Sequence, residues 1–223
     1  MKRIGKIALF IFIPFLGMSQ SLEELNKPTI SALDEVSPFC EGFAAVRKGN
    51  QWGFIDESGK LVIDFRNDLV SNNNVDTSKD GISAIGHPQF KEGLCLIKEL
   101  TEEGIPRYGF MDTTGKIVIK PEFLNATQFE SGYAVAIYER SSLRGKNEFQ
   151  LQIYDYDFTE VILNKAGEMI WPVQERQNII MSKNKYQLPE LHTKILAQDL
   201  LAVKGRDNLW KIVKTTMNNS GSK

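Results

Sequence analysis

Residue types that could support catalysis or metal binding are few in this sequence and isolated from one another. His87 and His192 have no second metal-ligating residue at a usual spacing, so each is expected in a surface or loop position. The acids of Tyr154-Asp155-Tyr156-Asp157 alternate along one strand face, but no glycine-containing calcium loop surrounds them, and solvation is their expected role. The sequence contains no nucleophile elbow, phosphate loop or dinucleotide fingerprint. It therefore predicts no catalytic, cofactor-binding or metal-binding residues and no enzymatic activity.

The stretch Asp112-Thr113-Thr114-Gly115 is similar to the turn of an aspartic protease, but it has a second copy, Asp56-Glu57-Ser58-Gly59. In a hairpin loop of this kind the aspartate accepts hydrogen bonds from the backbone of the turn. The glycine, Gly59 or Gly115, supplies the positive φ of a type I turn followed by a G1 bulge. Two copies at equivalent positions indicate hairpins rather than a catalytic dyad.

Internal repetition is the strongest signal in the chain, and it involves two blocks per repeat. The first block has an aromatic-x-x-Gly start followed by an apolar run, and it occurs three times with its glycine at Gly42, Gly93 and Gly132. The second block has an aromatic-Gly start, a polar turn and another apolar run. It begins at Trp52-Gly53 and Tyr108-Gly109, and a decayed third copy begins at Glu160.

These blocks resemble the WG-repeat family, which is named for its Trp-Gly pair. The resemblance covers about Pro38 to Pro172 and is weakest in the third copy, which lacks both Trp and Gly. A more eroded fourth copy is expected from Leu196 to Val213. The resemblance implies a tandem repeat with an interaction role, and it brings no catalytic residues.

Each copy contains apolar runs of four to six residues separated by polar turns, which is strand length. In the second block Trp52 and Phe54 face one side and Ile55 the other, so the sheet is expected to be covered on both faces. We predict an all-β fold of tandem three-stranded β-hairpin repeats, in a solenoid-like or propeller-like array. Trp52 and Tyr108 are expected to pack between repeats. Pro189 to Asp199 is either a short helix near the C-terminus or the lead-in to the fourth copy.

The expected domain organisation follows from the ends of the chain. Residues 1–19 are similar to a secretory signal peptide, because a positive start precedes a short apolar run and small residues stand before Gln20. Residues 20–37 form a linker, residues 38–174 the repeat region, and residues 175–223 a C-terminal segment with a frayed tail. The protein is therefore expected to be exported, to the periplasm, the cell envelope or the medium.

Composition limits the partners of the mature chain. Three of the 27 lysines and arginines lie in residues 1–19, which leaves 24 positive residues against 28 negative ones, a net charge of −4. A nucleic-acid or anionic-membrane binder needs a basic excess, so neither is expected, and no further stretch could span a bilayer. Cys40 and Cys95 are expected as two separate small buried residues, with a Cys40–Cys95 bridge as the alternative.

The repeats differ most in the gap between the two blocks. The flanking residues are 6, 11 and 24 positions apart in the three copies, at Val46–Trp52, Ile97–Tyr108 and Ala136–Glu160. Insertions at one repeat position often form a binding face, so these loops are expected to project from one rim. The longest gap predicts an extended hairpin with its tip at residues 139–148. Its candidate partner-binding residues are Arg140, Arg144, Tyr154 and Tyr156.

The sequence thus favours an exported, non-catalytic module that binds a protein or a glycan and needs no cofactor. Two alternatives stay open at this point. One is an exported enzyme acting on envelope carbohydrate, with a carboxylate such as Glu130 or Asp155 in its site. The other is a structural component of the envelope. A concave pocket with converging acids would favour the enzyme, and an aromatic surface would favour binding.

Overall fold

The computed structural model describes residues 21–217, so the expected signal peptide and residues 218–223 of the expected frayed tail lie outside the described residues. The chain divides into two compact units between Ser31 and Ala32. The described part of the first unit contains one helix, α1 (Leu22–Leu25). Ser21 starts this helix because its hydroxyl accepts from the Glu24 N–H, while the Glu24 carboxylate accepts from the Ser21 N–H.

The second unit is built from antiparallel sheets, and the predicted all-β fold is confirmed. A four-stranded sheet has the order β1-β2-β3-β4, a six-stranded sheet the order β10-β9-β8-β7-β6-β5, and a three-stranded sheet the order β11-β12-β13. The strands are β1 (Glu35–Val36), β2 (Phe43–Lys48), β3 (Gln51–Asp56), β4 (Leu61–Arg66), β5 (Leu94–Leu100), β6 (Pro106–Asp112), β7 (Ile117–Ala126), β8 (Tyr133–Lys146), β9 (Gln152–Asn164), β10 (Met169–Arg176), β11 (Thr193–Ala197), β12 (Leu200–Lys204) and β13 (Trp210–Lys214).

The repeat units are three-stranded meanders, but they do not all form separate sheets. The second meander, β5-β6-β7, and the third, β8-β9-β10, join into one sheet because the long strand β7 continues past its own hairpin. The end of β7 pairs with the start of β8, with Ala126 opposite Ala136. Two consecutive repeats are therefore linked by backbone hydrogen bonds as well as by side-chain packing.

The alternative of a helix within Pro189 to Asp199 is wrong, because β11 occupies this segment as the lead-in to the eroded fourth copy. Leu191 and Thr193 are buried, Ile195 is half-buried, and the intervening Lys194 and Leu196 are exposed. This alternation has the two-residue period of a strand rather than the 3.6-residue period of a helix. Between the first and second meanders, residues Gly81–Ala84 form a 3₁₀ turn.

One five-residue turn recurs through the unit. In each copy the first residue donates its N–H to the carbonyl of the fifth and accepts from the N–H of the fourth, which has a positive φ. This is the predicted type I turn with a G1 bulge, and Asp56 and Asp112 bind the turn backbone as expected. The six copies span residues 56–60, 101–105, 112–116, 147–151, 164–168 and 205–209.

A second turn explains the aromatic-x-x-Gly start. Cys40 to Phe43 form a type I′ turn in which Glu41 and Gly42 both have positive φ, and the same turn occurs at Glu92-Gly93 and Ser131-Gly132. These turns are connected in series. The Glu41 carboxylate accepts hydrogen bonds from the N–H groups of Glu92, at 2.6 Å, and Gly93, at 2.8 Å. The Glu92 carboxylate in turn accepts from the Gly132 N–H at 2.9 Å.

The cores lie between repeats. Trp52 is buried with Phe54 in a cluster that also contains Phe90 and Met111 from the second repeat. Tyr108 is buried in a second cluster that reaches Leu163 in the third repeat, and burial raises its pKa to about 12. A third cluster covers the opposite face of the six-stranded sheet. This sheet is therefore buried on both faces, as the apolar pattern predicted.

The glycines of the Trp-Gly and Tyr-Gly pairs accommodate the neighbouring strand. A Cβ on Gly53 would lie 2.8 Å from the Ile63 carbonyl oxygen, and one on Gly109 would lie 2.4 Å from the Ile119 carbonyl oxygen. The register shifts at both positions, so β4 and β7 approach the glycine as bulges. The structural glycines of the turns, Gly42, Gly59, Gly93, Gly115 and Gly132, all have positive φ.

The two cysteines are not bonded to each other. Cys40 is half-buried, and its thiol donates to the Phe90 carbonyl at 3.3 Å. Cys95 is buried, and burial raises the pKa of its thiol to about 12. Within residues 21–217, no helix is long and apolar enough to cross a bilayer.

Candidate interaction surface

The third repeat carries a two-stranded arm that extends beyond its sheet. Strands β8 and β9 pair from Tyr133–Asn164 out to Lys146–Gln152. The neighbouring strands stop earlier: the pairing of β7 with β8 ends at Tyr138, and that of β10 with β9 ends at Phe158. Residues 139–157, called the arm below, therefore have two strand edges whose backbone groups pair with no further described strand. Such edges are where other polypeptides add a strand.

The tip of the arm lies further along the chain than expected. The sequence placed it at residues 139–148, whereas the turn spans Asn147 to Leu151, and residues 139–146 belong to β8. The Asn147 side chain shapes this turn by accepting from the Phe149 and Leu151 N–H groups. Phe149 projects into solvent with 82% of its surface exposed.

One face of the arm is apolar and aromatic. Tyr156 lies opposite Ser141, and Tyr154 lies opposite Leu143, so the two tyrosines share a face with Leu143. Tyr154, Tyr156 and Leu143 are 43%, 42% and 55% exposed. The Tyr156 ring stacks on Phe158 with centroids 6.2 Å apart and ring planes 10° apart. Partial burial and then the Glu139 carboxylate raise the pKa of the Tyr156 hydroxyl.

This aromatic face continues a face of the sheet that is buried closer to the body. Phe158 and Ile162 lie on the same side of β9 as the two tyrosines, and both belong to the third core cluster. Ile179 and Tyr186, from the segment after β10, pack against that cluster. This segment covers Phe158 but not the arm, so the same face is exposed to solvent at Tyr156 and Tyr154.

The opposite face of the arm is charged and internally paired. Arg140 and Asp157 form an ion pair at 3.3 Å, and Arg144 and Asp155 form one at 3.8 Å. All four side chains are more than half exposed, so each pair contributes well under about 1 kcal/mol. Of the four candidate residues, the structure therefore brings Tyr154 and Tyr156 together on one face and places Arg140 and Arg144 on the other.

At the base of the arm, an ion pair marks the end of the buried face. Arg107 on β6 donates to the Glu139 carboxylate, and both side chains are largely buried. The Arg107 Nη1 atom is buried without a hydrogen-bond partner among the described residues. This pair could not be predicted from the sequence, because the two residues meet only through the register of β6, β7 and β8.

The two carboxylates of the enzyme alternative are not brought together. Glu130 is exposed next to the start of β8, and it lines a cleft with Asp80, which is paired with Lys194 at 3.2 Å. Asp155 lies out on the arm opposite Ser142. Since β8 advances about 3.3 Å per residue, the arm position is roughly 30 Å from the start of the strand. Within residues 21–217, no three His, Cys, Asp or Glu side chains are grouped so that they could hold a metal ion.

A further carboxylate, that of Glu160, is buried although the sequence does not predict its burial. Glu160 on β9 is fully buried and accepts from the side chains of Gln174, Arg176 and Thr193. It also accepts from the His192 N–H at 2.6 Å. These donors come from β10 and from the segment that begins β11, so Glu160 ties the third repeat to the fourth.

Comparison with known proteins identifies the repeats. The family model described as "WG containing repeat" matches residues 32–52, 52–72 and 108–137, so the chain carries repeats of this type. No curated protein matches the chain. A solved structure, that of the computationally designed Ika4 protein, has 11% sequence identity and a TM-score of 0.35, and the alignment covers 85% of this chain and 95% of that one.

Proposed function

We propose that this chain of WG-type repeats is an exported, non-catalytic module that binds a protein partner along its arm. The observation that carries the proposal is the combination, in residues 139–157, of two unpaired strand edges with an exposed aromatic face. A ribbon of this kind gains little stability by itself, because an isolated two-stranded hairpin is marginal in water. A partner that covers the face of Tyr154 and Tyr156 would remove the remaining apolar surface from water.

A protein fits the arm better than a glycan. The free edges present N–H and C=O groups at strand spacing, which an added strand can match along its whole length. The tyrosines and Leu143 then provide pockets for alternate side chains of that strand. Tyr154 and Tyr156 are of a residue type that is frequent among the dominant contributors to protein interfaces. In this assignment Arg140 and Arg144 lie on the opposite face of the arm, paired with Asp157 and Asp155.

The test removes matched halves of both strands. Replacing Ser141–Tyr156 by Asn-Gly connects Arg140 to Asp157, which lies opposite it, through a two-residue turn. We expect the shortened protein to melt within a few degrees of the wild type, because the removed residues lie outside the cores, and to capture no partner from envelope extract. Tyr154→Ser with Tyr156→Ser should also abolish capture, whereas Arg140→Gln with Arg144→Gln is the matched control on the other face.

A photo-crosslinking residue identifies the contact itself. Placed at Tyr156 it should yield a polypeptide adduct, and placed at the exposed Lys165 in the β9–β10 turn it should not. Retention of the same partners at the same yield by the shortened protein would refute the proposal. An adduct with carbohydrate instead of polypeptide would show that the arm binds a glycan.

Export is tested separately. The mature chain should begin at Gln20 and be found outside the cytoplasm, because the start of the sequence has the layout of a signal peptide. Mass spectrometry of fractionated cells measures both points. A chain that keeps Met1 and remains in the cytoplasmic fraction would rule export out.

A further inference from the structure

Away from the arm, basic side chains converge on a cleft between the third and fourth repeats. The cleft has a volume of about 320 Å³. Its lining includes Arg176 at the end of β10, His192 just before β11, Lys204 at the end of β12 and Arg206 in the turn that follows. Glu175 is the one carboxylate among the residues that line it, and side-chain amides complete the wall.

The positive charge of the cleft is only partly compensated. The Arg176 guanidinium is neutralised by the buried Glu160 carboxylate. Neither Lys204 nor Arg206 has an ion-pair partner within residues 21–217. Besides Glu175 in the lining, the Glu190 carboxylate is near enough to Lys204 for the cation to lower its pKa, but Glu190 is already paired with Lys79 at 2.7 Å. A concave site with unpaired cations attracts anions and strengthens each hydrogen bond made to them.

The cationic frame is held in place before any ligand arrives. Arg176 donates to the Glu190 carbonyl at 2.6 Å as well as to Glu160, and its other terminal nitrogen lies 3.4 Å from His192 Nε2. The Lys204 N–H donates to the His192 carbonyl at 2.7 Å. The backbone of β12 is therefore fixed to the same segment as the imidazole, so Arg176, His192 and the backbone of Lys204 are positioned before any ligand binds.

We propose that this cleft binds an oxyanion of the sulfate or phosphate type, either free or carried on a sugar, through Lys204, Arg206 and His192. Free sulfate carries two negative charges, a phosphate group carries roughly 1.5 to 2 at neutral pH, and a sulfate ester carries one, so each is attracted by the two unpaired cations. The several oxygens of such a group can accept from ammonium, guanidinium and imidazole donors at once. None of these three residues belongs to the arm, so this proposal can be tested separately from the proposed function.

The electrostatics of His192 agree with this geometry. Burial, then the Arg176 guanidinium, and also Lys204 lower the pKa of the imidazole, and the opposing influence of the Glu160 and Glu190 carboxylates is smaller. A bound oxyanion would add negative charge beside the ring and favour its protonated form. Anion binding should therefore raise the pKa of His192, and by linkage the affinity for the anion should increase as the pH falls.

The experiment uses the two histidines as probe and internal reference. Proton NMR follows the imidazole resonances of His192 and His87 through a pH titration, in chloride and in inorganic sulfate at the same ionic strength. We expect sulfate to raise the pKa of His192 saturably and to leave the titration of His87 unchanged. Equal shifts of both histidines, or no shift of His192, would overturn the proposal, since general screening acts on both.

Charge-removing variants locate the anion. Lys204→Gln and Arg206→Gln should each weaken sulfate binding roughly tenfold, the change expected when one hydrogen bond from a charged group is lost. Lys214→Gln is the matched control, because Lys214 is an exposed lysine at the other end of the same sheet. If all three variants weaken sulfate binding equally, the proposed site is also overturned, because the affinity would then depend only on the net charge of the protein.

A second ligand distinguishes a free oxyanion from one carried on a sugar. A sulfated monosaccharide that binds more tightly than inorganic sulfate, with the same dependence on Lys204 and Arg206, would assign the site to an anionic sugar. Equal affinities would assign it to the free ion. If neither ligand produces the His192 response, the cleft is not an oxyanion site.

Discussion

At the residue scale, Gly109 has a role that its neighbours cannot share. A Cβ at this position would lie 2.4 Å from the Ile119 carbonyl oxygen and 2.6 Å from the Pro121 nitrogen, both of which are backbone atoms of β7. Backbone cannot move aside as a flexible side chain can, so even one methyl group must push the two strands apart. The Tyr-Gly pair is therefore a requirement of the β6–β7 bulge.

We expect Gly109→Ala to lower the free energy of unfolding by about 3 kcal/mol, at the upper end of the range for overpacking. Gly86→Ala is the matched control, because its Cβ would meet only the tip of the half-exposed Val75 side chain. It should cost under about 1 kcal/mol. Urea unfolding followed by circular dichroism measures both. If Gly109→Ala and Gly86→Ala have equal free energies of unfolding, β7 can move away from β6 without loss of stability.

Gly53 leaves space on the face opposite Trp52, because side chains alternate along the strand and glycine has none. That space is filled by the Ile63 carbonyl of the paired strand and by the Phe65 ring, which lie 2.8 Å and 3.4 Å from the position of a Cβ on Gly53. Periodicity reports which face a side chain occupies. It does not report a bulge in the partner strand, because the bulge follows from the pairing register of two segments.

At the scale of elements, the hairpin turns were predictable where the sequence has both the aspartate and the glycine that such a turn requires. The turns at Asp56 and Asp112 have this signature, and the third copy, from Asn164 to Glu168, keeps it with asparagine. The tip of the arm does not, because Gln150 instead of glycine has the positive φ in that turn. Without a glycine to mark it, the sequence placed the tip several residues too early.

The faces of the arm depend on that turn. Once Asn147 starts it, Ser141 lies opposite Tyr156 and Arg140 opposite Asp157. A slip of one residue would exchange the faces, since strand side chains alternate. The two tyrosines and two arginines are therefore alike as candidates in the sequence, and only the register separates them into an aromatic face and a charged face.

At the scale of the whole repeat unit, the junctions between repeats use one structural position in two chemical ways. Val46 lies opposite Gly53, Ile97 opposite Gly109 and Ala136 opposite Val161, so Trp52, Tyr108 and Glu160 are equivalent. Trp52 and Tyr108 fill apolar cores. At the third junction the aromatic ring is replaced by a carboxylate that is also fully buried.

The sequence alignment of the repeats identified Glu160 only as a decayed Trp position. Its compensation could not be predicted, because the donors come from two distant segments. Arg176 and Gln174 belong to β10, whereas His192 and Thr193 precede or begin β11. A buried carboxylate without such donors would be strongly unfavourable, so the polar cluster explains how the third repeat retains its position in the array.

This junction gives a prediction for the whole unit. Glu160→Gln preserves the shape of the side chain but leaves the Arg176 guanidinium buried without its counter-charge. We expect it to lower the free energy of unfolding by about 3–5 kcal/mol, the usual cost of breaking a buried ion pair from one side. Hydrogen exchange should show the first loss of protection in β11, β12 and β13, with the β2-β3-β4 meander unaffected.

The double variant Glu160→Leu with Arg176→Leu separates the charge from the packing. Removing both partners leaves no unpaired charge, so the double variant should be more stable than Glu160→Gln, because apolar replacement of a whole buried pair is often neutral. If Glu160→Gln unfolds at the same urea concentration as the wild type, the carboxylate does not hold the junction. If the double variant is the less stable of the two, the hydrogen bonds to Gln174, His192 and Thr193 matter more than the ion pair, and the fourth repeat is held by polar contacts that no apolar side chain can replace.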